Sequence, residues 1–347
     1  MLKGYEKISF LHLPTPLEYL PRVSEELGIK LYIKRDDLTN LGTGGNKLRK
    51  LEYFLHDALQ KGATALVTVG GIQTNHGRLI AAVAAKYGLK CTIVTVGKDP
   101  GELSGNLLLD RIMGSEVVIV EPDGKHKESE LEKIYADEAM RRYKDAGEEP
   151  YFVPLGGSNE LGILGYRECA KELADQAKEL NLHDPRVIVT AGSLGTYMGL
   201  FIGFGEIEDA SRLTAVCISP SCDPAPAKRA LRYFRRCKDF FGLDWDAGEE
   251  DFHMTNSYHY GAYNNPVAEV RESVYHMARK EGIILDPCYT GKTYNAIRLM
   301  VHNGEIEQGE TIIFIHTGGV PGINGPIHRK PMEEELMDGV SIVRAGR

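Results

Sequence analysis

The sequence lacks the features of a membrane-spanning or secreted chain. None of its apolar runs approaches the roughly 20 residues that a transmembrane helix needs, and its first residues contain no signal-peptide core. It also lacks an excess of positive charge, because 41 basic residues stand against 49 acidic ones. The net charge of −8 argues against a protein that binds nucleic acid through phosphate contacts. We therefore expect a cytoplasmic protein with neither nucleic-acid nor membrane partners.

Cysteine is scarce and follows no pattern. The cysteines are Cys91, Cys169, Cys217, Cys222, Cys237 and Cys288. They form no C-x-x-C pair, and none has a histidine at metal-ligand spacing, so the sequence predicts no metal site. This usage is typical of reduced and mostly buried thiols.

What the sequence does contain is an alternation of apolar strands and amphipathic helices. Strands are predicted at 30–34, 65–69, 92–96, 117–120, 186–190, 213–218, 283–285 and 311–315. Such alternation predicts α/β architecture with parallel sheets, and 347 residues favour two domains around a cleft. We expect residues 50–165 to form a smaller α/β domain, and residues 1–49 plus 166–347 to form a larger one. The charged stretch 123–149 is predicted to be an exposed helix with salt-bridge pairs.

The stretch 44–50 places three cations at the start of a predicted helix. Apolar residues recur at helical spacing at Leu48, Leu51, Leu55 and Ala58. Asn46 is a candidate N-cap, and Gly62 lies where the helix would end. Lys47, Arg49 and Lys50 would each be unfavourable there by a few tenths of a kcal/mol, up to about 1, unless an anion lies nearby. The stretch is either a solvated surface turn or part of a ligand site.

Three further loops follow predicted strands, where open parallel sheets bind ligands. In the first, 70–76, Thr74 and Asn75 either cap a helix or bind a ligand. The second consists of Ala191, Gly192, Ser193, Leu194, Gly195 and Thr196, and its small residues before a helix favour phosphate binding over a structural turn. The third, 286–292, has a partner loop at 316–319.

Two nucleotide-binding motifs are excluded by position. A P-loop ending in Gly291-Lys292 would need glycine where Asp286 stands. A dinucleotide fingerprint beginning at Gly203 would need glycine where Glu208 stands. A phosphate-bearing ligand smaller than a dinucleotide is therefore expected. A lysine near a phosphate cradle suggests a Schiff base to pyridoxal phosphate.

Several motifs, in order along nearly the whole chain, resemble one enzyme family. The motifs are Lys34-Arg35-Asp36-Asp37, Gly44-Gly45-Asn46-Lys47-Leu48-Arg49-Lys50-Leu51-Glu52, Gly70-Gly71-Ile72-Gln73-Thr74-Asn75 and Leu285-Asp286-Pro287-Cys288-Tyr289-Thr290-Gly291-Lys292. They resemble the D-cysteine desulfhydrase and 1-aminocyclopropane-1-carboxylate deaminase family of pyridoxal-phosphate enzymes. The resemblance implies a tryptophan-synthase-β-like fold (PLP fold type II), with two open parallel-sheet α/β domains, the cofactor in the cleft, and usually a homodimer.

The resemblance also implies how the cofactor is held. Lys47 would bond to pyridoxal phosphate and, once released by the amino-acid substrate, move its α-proton. Lys50 and the loop 191–196 would hold the phosphate, and Asn75 would lie beside the pyridine ring.

The same resemblance assigns the substrate side of the cleft. Thr74 and its neighbours would bind the substrate carboxylate, and Tyr289 would act as an acid or base. Tyr263 is expected to join Tyr289, chosen over the two other nearby tyrosines by its spacing to Pro266 and Tyr289.

Two threonines favour one reaction of the family. Cyclopropane deaminases typically have Glu facing the pyridine nitrogen and Leu in the partner loop, whereas desulfhydrase-like members have Thr at both; here these are Thr290 and Thr317. A neutral hydroxyl makes the ring a weaker electron sink than a carboxylate does. This favours β-elimination, with D-cysteine giving pyruvate, ammonia and sulfide, over ring opening.

Alternatives stay open at the level of sequence. Thr74 stands where desulfhydrases usually have serine, so the substrate could be cysteate or another β-substituted alanine, of either stereochemistry. His76 is either a substrate contact or a histidine with no catalytic part. The cyclopropane deaminase reaction, a β-replacement transferase of the same fold, and a non-catalytic sensor in which Lys47 only pairs with phosphate also remain.

Overall fold

The computed structural model describes residues 4–207, 212–220 and 225–345. The strands are β1 (Leu17–Tyr19), β2 (Lys30–Arg35), β3 (Ala65–Gly70), β4 (Lys90–Val96), β5 (Glu116–Val120), β6 (Pro150–Val153), β7 (Arg186–Ala191), β8 (Arg212–Cys217), β9 (Met254–Thr255) and β10 (Thr311–His316). The α-helices are α1 (Pro21–Leu27), α2 (Lys47–Gln60), α3 (Asn75–Tyr87), α4 (Gly105–Ile112), α5 (Glu128–Asp145), α6 (Leu164–Glu179), α7 (Gly195–Glu206), α8 (Pro226–Phe241), α9 (Ala268–Glu281), α10 (Thr290–His302) and α11 (Pro326–Leu336). Among the described residues, no helix combines the length and apolarity needed to cross a membrane.

These strands form two sheets. The first has the order β1-β2-β10-β7-β8-β9, and the second has the order β5-β4-β3-β6. Every strand pair is parallel except β1 with β2, which lies at an edge of the first sheet. The prediction of an α/β protein with two open parallel sheets is confirmed. The division of the chain at residues 49/50 and 165/166 stays a prediction.

The four-stranded sheet is covered on both faces, because alternate strand residues point to opposite sides. Leu66 and Ile93 pack against α2 and α3, whereas Val67 and Val94 pack against α5. The helix predicted over 123–149 therefore exists, but it is not purely a solvated element. It buries Leu131 against the sheet and keeps ion pairs such as Lys133–Asp137 on its outer face.

The six-stranded sheet is built in the same way. Val187 and Ile313 belong to a core that includes α6, α7 and α8, while Ile188 and Phe314 belong to a core that includes α9 and α10. Since both faces are covered, the carboxyl edges of the central strands are where ligands can approach.

One predicted strand is wrong. Residues 283–285 form no ladder and lead directly into the loop before α10. Ile283 and Leu285 are buried in the core with α9 and α10, while Ile284 is 51% exposed. The alternating burial that mimics a strand comes from packing against helices. The short strands β1, β6 and β9 are not predicted by sequence.

The described cysteines agree with the prediction of reduced and mostly buried thiols. Cys91, Cys169, Cys217, Cys237 and Cys288 are free and buried. Cys222 lies outside the described residues.

Candidate active site

Lys47 is the first residue of α2 and follows a turn that requires glycine. Gly44 and Gly45 have φ angles of 74° and 138°, and a Cβ on Gly44 would lie 1.9 Å from the carbonyl oxygen of Asp37. Removal from water lowers the pKa of the Lys47 amine from 10.5 to about 8. Much of this amine is therefore uncharged in mildly alkaline solution, which makes it a nucleophile and a base.

Asn46 joins α2 to two other loops rather than capping the helix. Asn46 occupies the predicted N-cap position of α2, but its side chain makes no capping hydrogen bond. Its Nδ2 instead donates to Oγ1 of Thr196 at 2.8 Å, and its backbone N–H donates to the carbonyl oxygen of Thr317 at 3.0 Å. The residue before Lys47 thus fixes the lysine turn to the loop 191–196 and to the loop after β10.

Arg49 has its anions within the protein. Its guanidinium is buried and donates to both carboxylate oxygens of Asp36 at 2.8 and 2.9 Å, and to both of Glu172 at 2.9 Å. Burial raises the pKa of Asp36, but the charge and hydrogen bonds of Arg49 outweigh it, and the net pKa is lowered. The anions that offset the charge of Arg49 at the helix start are therefore two carboxylates of the protein, not a ligand.

Lys50 has no such partner. It is buried, its Nζ donates to the carbonyl oxygen of Gly156 at 3.0 Å, and no carboxylate of the described residues forms an ion pair with it. Burial, and then the charge of Lys47, lower its pKa well below 10.5. A Cβ on Gly195 would lie 2.7 Å from Lys50 Nζ and 2.4 Å from Ser158 Oγ. An amine, a hydroxyl and the start of α7 thus converge, which suits a phosphate.

The predicted phosphate loop forms a tight turn between β7 and α7. Ala191 ends the strand, Leu194 has a φ of 68°, and the helix begins at Gly195. The hydroxyl of Ser193 hydrogen-bonds that of Ser158 at 2.7 Å. Sequence reasoning assigned no role to Ser158, and only the glycine pair before it, Gly156-Gly157, marked this second loop.

The start of α3 lies between the lysines and an open cavity. Thr74 caps the helix, because its Oγ1 accepts the backbone N–H of Gly77 at 3.1 Å. His76 is buried, and neither ring nitrogen has a hydrogen-bond partner among the described residues. Burial, and then the charges of Lys47 and Lys50, lower its pKa well below 6.5, which favours the uncharged ring. Asn75 faces the cavity.

That cavity has a volume of about 210 Å³. It is lined by Gly71, Ile72, Gln73, Asn75, Val96, Tyr263, Asn264, Asp286, Pro287, Cys288, Tyr289, Gly322 and His328. The hydroxyl groups of Tyr263 and Tyr289 hydrogen-bond each other, and burial raises the pKa of Tyr289. The neighbouring tyrosines are bonded elsewhere, Tyr258 to Glu305 and Tyr260 to Asn295. The structure therefore brings together the two tyrosines that the sequence singled out, although Lys47 does not line the cavity.

Thr290 begins α10 and Thr317 directly follows β10, and neither residue lines the cavity. Thr290 is buried, and its hydroxyl donates to Oδ1 of Asp286 at 2.8 Å while accepting the Asp286 backbone N–H at 2.9 Å. The Asp286 carboxylate also accepts the backbone N–H groups of Cys288, Tyr289 and Thr290. Sequence reasoning did not single out Asp286 as the partner that holds the Thr290 proton.

Comparisons with known proteins place this geometry in context. The family model described as "Pyridoxal-phosphate dependent enzyme" matches residues 8–318. The chain is 38% identical over 323 residues to a putative 1-aminocyclopropane-1-carboxylate deaminase from Pyrococcus abyssi, covering 93% of this chain and 94% of the relative. It is also 38% identical over 328 residues to a D-cysteine desulfhydrase from Klebsiella pneumoniae, covering 93% and 96%. A crystal structure of an ACC deaminase homologue is similar with a TM-score of 0.84, 35% identity and 98% coverage of both chains.

Proposed function

The chain belongs to the family of pyridoxal-phosphate dependent enzymes, and from that premise we propose that it eliminates an uncharged group from Cβ of a small amino acid. It is a pyridoxal-phosphate dependent lyase of the ACC deaminase and D-cysteine desulfhydrase group, with PLP fold type II. Our preferred substrate is D-cysteine, which would give pyruvate, ammonia and sulfide. Because the chain resembles this family, we also propose that it forms a homodimer in the cytoplasm.

The described residues fit pyridoxal phosphate. Lys50, buried without a carboxylate partner, and the loop 191–196 would hold its phosphate. Lys47 would bond to its aldehyde carbon, Asn75 would lie beside its ring, and Thr290 and Thr317 would face the ring nitrogen. Bound pyridoxal phosphate supplies an electron sink for negative charge at the substrate Cα, so that a group at Cβ can leave.

Lys47 is proposed as the group that takes the α-proton. With its pKa at about 8, half of the amine is uncharged at that pH. A lysine with an ordinary pKa would be uncharged to only about 0.3% at pH 8. Burial therefore raises the basic fraction by about two orders of magnitude without any neighbouring base.

The choice of leaving group rests on the charges of the residues that line the cavity. None of the described residues that line it is a lysine or an arginine. Its one carboxylate, Asp286, is bound to three backbone N–H groups, and burial first of all lowers the pKa of its histidine, His328, to about 4. A sulfonate would carry a desolvated negative charge into this cavity without a compensating cation. A thiol enters uncharged, and the paired hydroxyl groups of Tyr263 and Tyr289 can protonate the departing sulfur.

The substrate carboxylate is an anion as well, and we propose a separate binding site for it. The first N–H groups of α3 have no intrahelical acceptor, and the positive end of the helix dipole lies at Thr74 and Asn75. We propose that Thr74 orients this helix start, through its bond to Gly77, and donates its own proton to the carboxylate.

A screen of matched substrates tests the proposal. D-cysteine, L-cysteine, D- and L-cysteate, D-serine and 1-aminocyclopropane-1-carboxylate are compared for keto-acid release by the holoenzyme. We expect cysteine to exceed cysteate of the same configuration by at least about 100-fold in kcat/KM, because the sulfonate of cysteate would enter the cavity as an uncompensated negative charge. Equal rates with cysteate would refute the uncharged-leaving-group argument. No keto acid without a second nucleophile would favour a β-replacement transferase.

The pKa of Lys47 gives a second, independent test. Only the uncharged amine can bond to an aldehyde, so the rate at which apoenzyme captures pyridoxal phosphate should rise with pH and level off above a midpoint near 8. Stopped-flow absorbance between pH 6 and 10.5 measures this profile. A rate still rising in proportion to hydroxide at pH 10 would mean that the amine keeps an ordinary pKa.

A further inference from the structure

A buried asparagine on α4 is bonded to both residues that flank Thr74. Asn106 has no exposed surface. Its Nδ2 donates to the carbonyl oxygen of Gln73 at 2.9 Å and to Oδ1 of Asn75 at 2.8 Å. Its backbone N–H donates to Oε1 of Gln73 at 2.8 Å, and its own Oδ1 accepts Nε of Arg78 at 2.7 Å. All the hydrogen-bonding atoms of this side chain are therefore engaged.

These contacts determine which way each amide faces. Arginine can only donate, so the atom of Asn106 that faces Arg78 must be the oxygen. The other atom is then the NH₂ group, and the atom of Asn75 that it meets must be the Asn75 oxygen. The NH₂ group of Asn75 is left facing the cleft, where a Cβ on Gly319 would lie 3.0 Å from it.

Arg78 anchors this arrangement to the lysine turn. Its guanidinium is fully buried and donates to the carbonyl oxygens of Gly42 and Gly44 and to Oγ1 of Thr43. It makes no ion pair within hydrogen-bond distance among the described residues, and burial lowers its pKa to about 10. A continuous line of hydrogen bonds therefore runs from the turn before Lys47 through Arg78 and Asn106 to Asn75.

We propose that Asn106 is a positioning residue that fixes the Asn75 amide with its NH₂ group toward the cofactor ring. An N–H donor at that place stabilises the negative charge of the ring oxygen of pyridoxal phosphate. Stabilising that oxygen favours the deprotonated form of the bound cofactor and lowers the pH at which its visible absorption band converts. The proposal rests on the proposed place of Asn75 beside the ring, and its test separates the two.

Asn106→Asp is the sharpest change. One carboxylate oxygen of the new aspartate can still accept the N–H of Arg78. The other oxygen would face Oδ1 of Asn75, and two acceptors repel each other. The Asn75 side-chain amide is therefore expected to rotate by 180° and exchange its oxygen and NH₂ group. We expect the dissociation constant of pyridoxal phosphate, measured by fluorescence, to rise at least about tenfold, and the midpoint pH of the visible band to rise by about one unit. Asn106→Ala, which allows either orientation, should give intermediate values.

Two controls decide the outcome. Asn295→Asp makes the same change in another buried asparagine, bonded to Ser273 and Tyr260, and should leave both quantities unchanged. Asn75→Ala should raise both. If Asn75→Ala raises them and neither Asn106 variant does, the positioning role is refuted; if Asn75→Ala also changes nothing, the place of Asn75 itself is refuted. Should Asn106→Asp not fold, an unchanged midpoint in Asn106→Ala overturns the proposal.

Discussion

Lys47→Ala is expected to lower keto-acid release by about 10⁴-fold or more and to abolish the visible band of the cofactor-loaded protein. The substitution would remove the proposed covalent attachment and the proposed proton carrier together. It leaves Lys50 and the loop 191–196 in place, so phosphate should still bind. The measurements are an absorption spectrum recorded after loading with pyridoxal phosphate and removal of the unbound cofactor, the amount of cofactor that stays on the denatured protein after borohydride reduction, and a coupled keto-acid assay.

The same helix offers a matched control. Lys61 lies just after the end of α2 and pairs with Asp57 at 2.7 Å, with 63% of its side chain exposed. Lys61→Ala should keep the band, its loss on borohydride reduction, and the activity. Cofactor that stays attached to denatured Lys47→Ala after borohydride reduction would identify another lysine as the attachment site, whereas a wild-type protein without any band would favour the phosphate sensor.

Arg49→Ala is expected to lower the free energy of unfolding by about 3–5 kcal/mol. The substitution removes the guanidinium that neutralises Asp36, which is fully buried, and Glu172, which is mostly buried. Two carboxylates would remain in low dielectric, supported only by partners such as Lys34 and Tyr166. Urea denaturation of the apoprotein, followed by circular dichroism, measures the change.

An exposed pair of the same geometry calibrates this effect. Arg142 donates to both carboxylate oxygens of Glu116 at 2.9 Å, but the two side chains are 49% and 43% exposed. Arg142→Ala should therefore change stability by less than about 1 kcal/mol. Equal losses in the two variants would mean that burial adds nothing to the contribution of the Arg49 ion pairs.

Much of the fold could be predicted because local periodicity and burial agree. The apolar runs that became β3 and β4 are buried almost throughout, and the repeat that predicts α2 is the face that packs in the core. The segment 283–285 fails because a short apolar run does not distinguish a strand from an extended segment packed on helices. The capping hydrogen bond at Asn46 is absent because Thr196, 150 residues away, competes for its side chain.

The same distinction between local patterns and long-range contacts applies to the candidate site. Glycine turns and lysines at a helix start carry their own signal, and the structure places Lys47, Lys50 and the loop 191–196 together. The polar residues that complete the candidate site carry no such signal in the sequence. Ser158, Asn106 and Asp286 are single polar residues whose roles depend on contacts with residues distant in sequence or on buried loop geometry that no spacing rule encodes. Sequence alone therefore identifies the candidate lysines and the candidate phosphate loop, but not the hydrogen bonds that orient them.

The most direct test of the account is a comparison of D-cysteine and 1-aminocyclopropane-1-carboxylate as substrates of the same holoenzyme preparation. At the proposed place of Thr290 beside the ring nitrogen, a neutral hydroxyl makes the ring a weaker electron sink than a carboxylate would, which favours elimination of a thiol over ring opening. We predict that D-cysteine yields equal amounts of pyruvate, ammonia and sulfide, at a kcat/KM at least about 100-fold above that of the cyclopropane substrate. Release of 2-oxobutanoate from the cyclopropane substrate, with no sulfide from either enantiomer of cysteine, would contradict it.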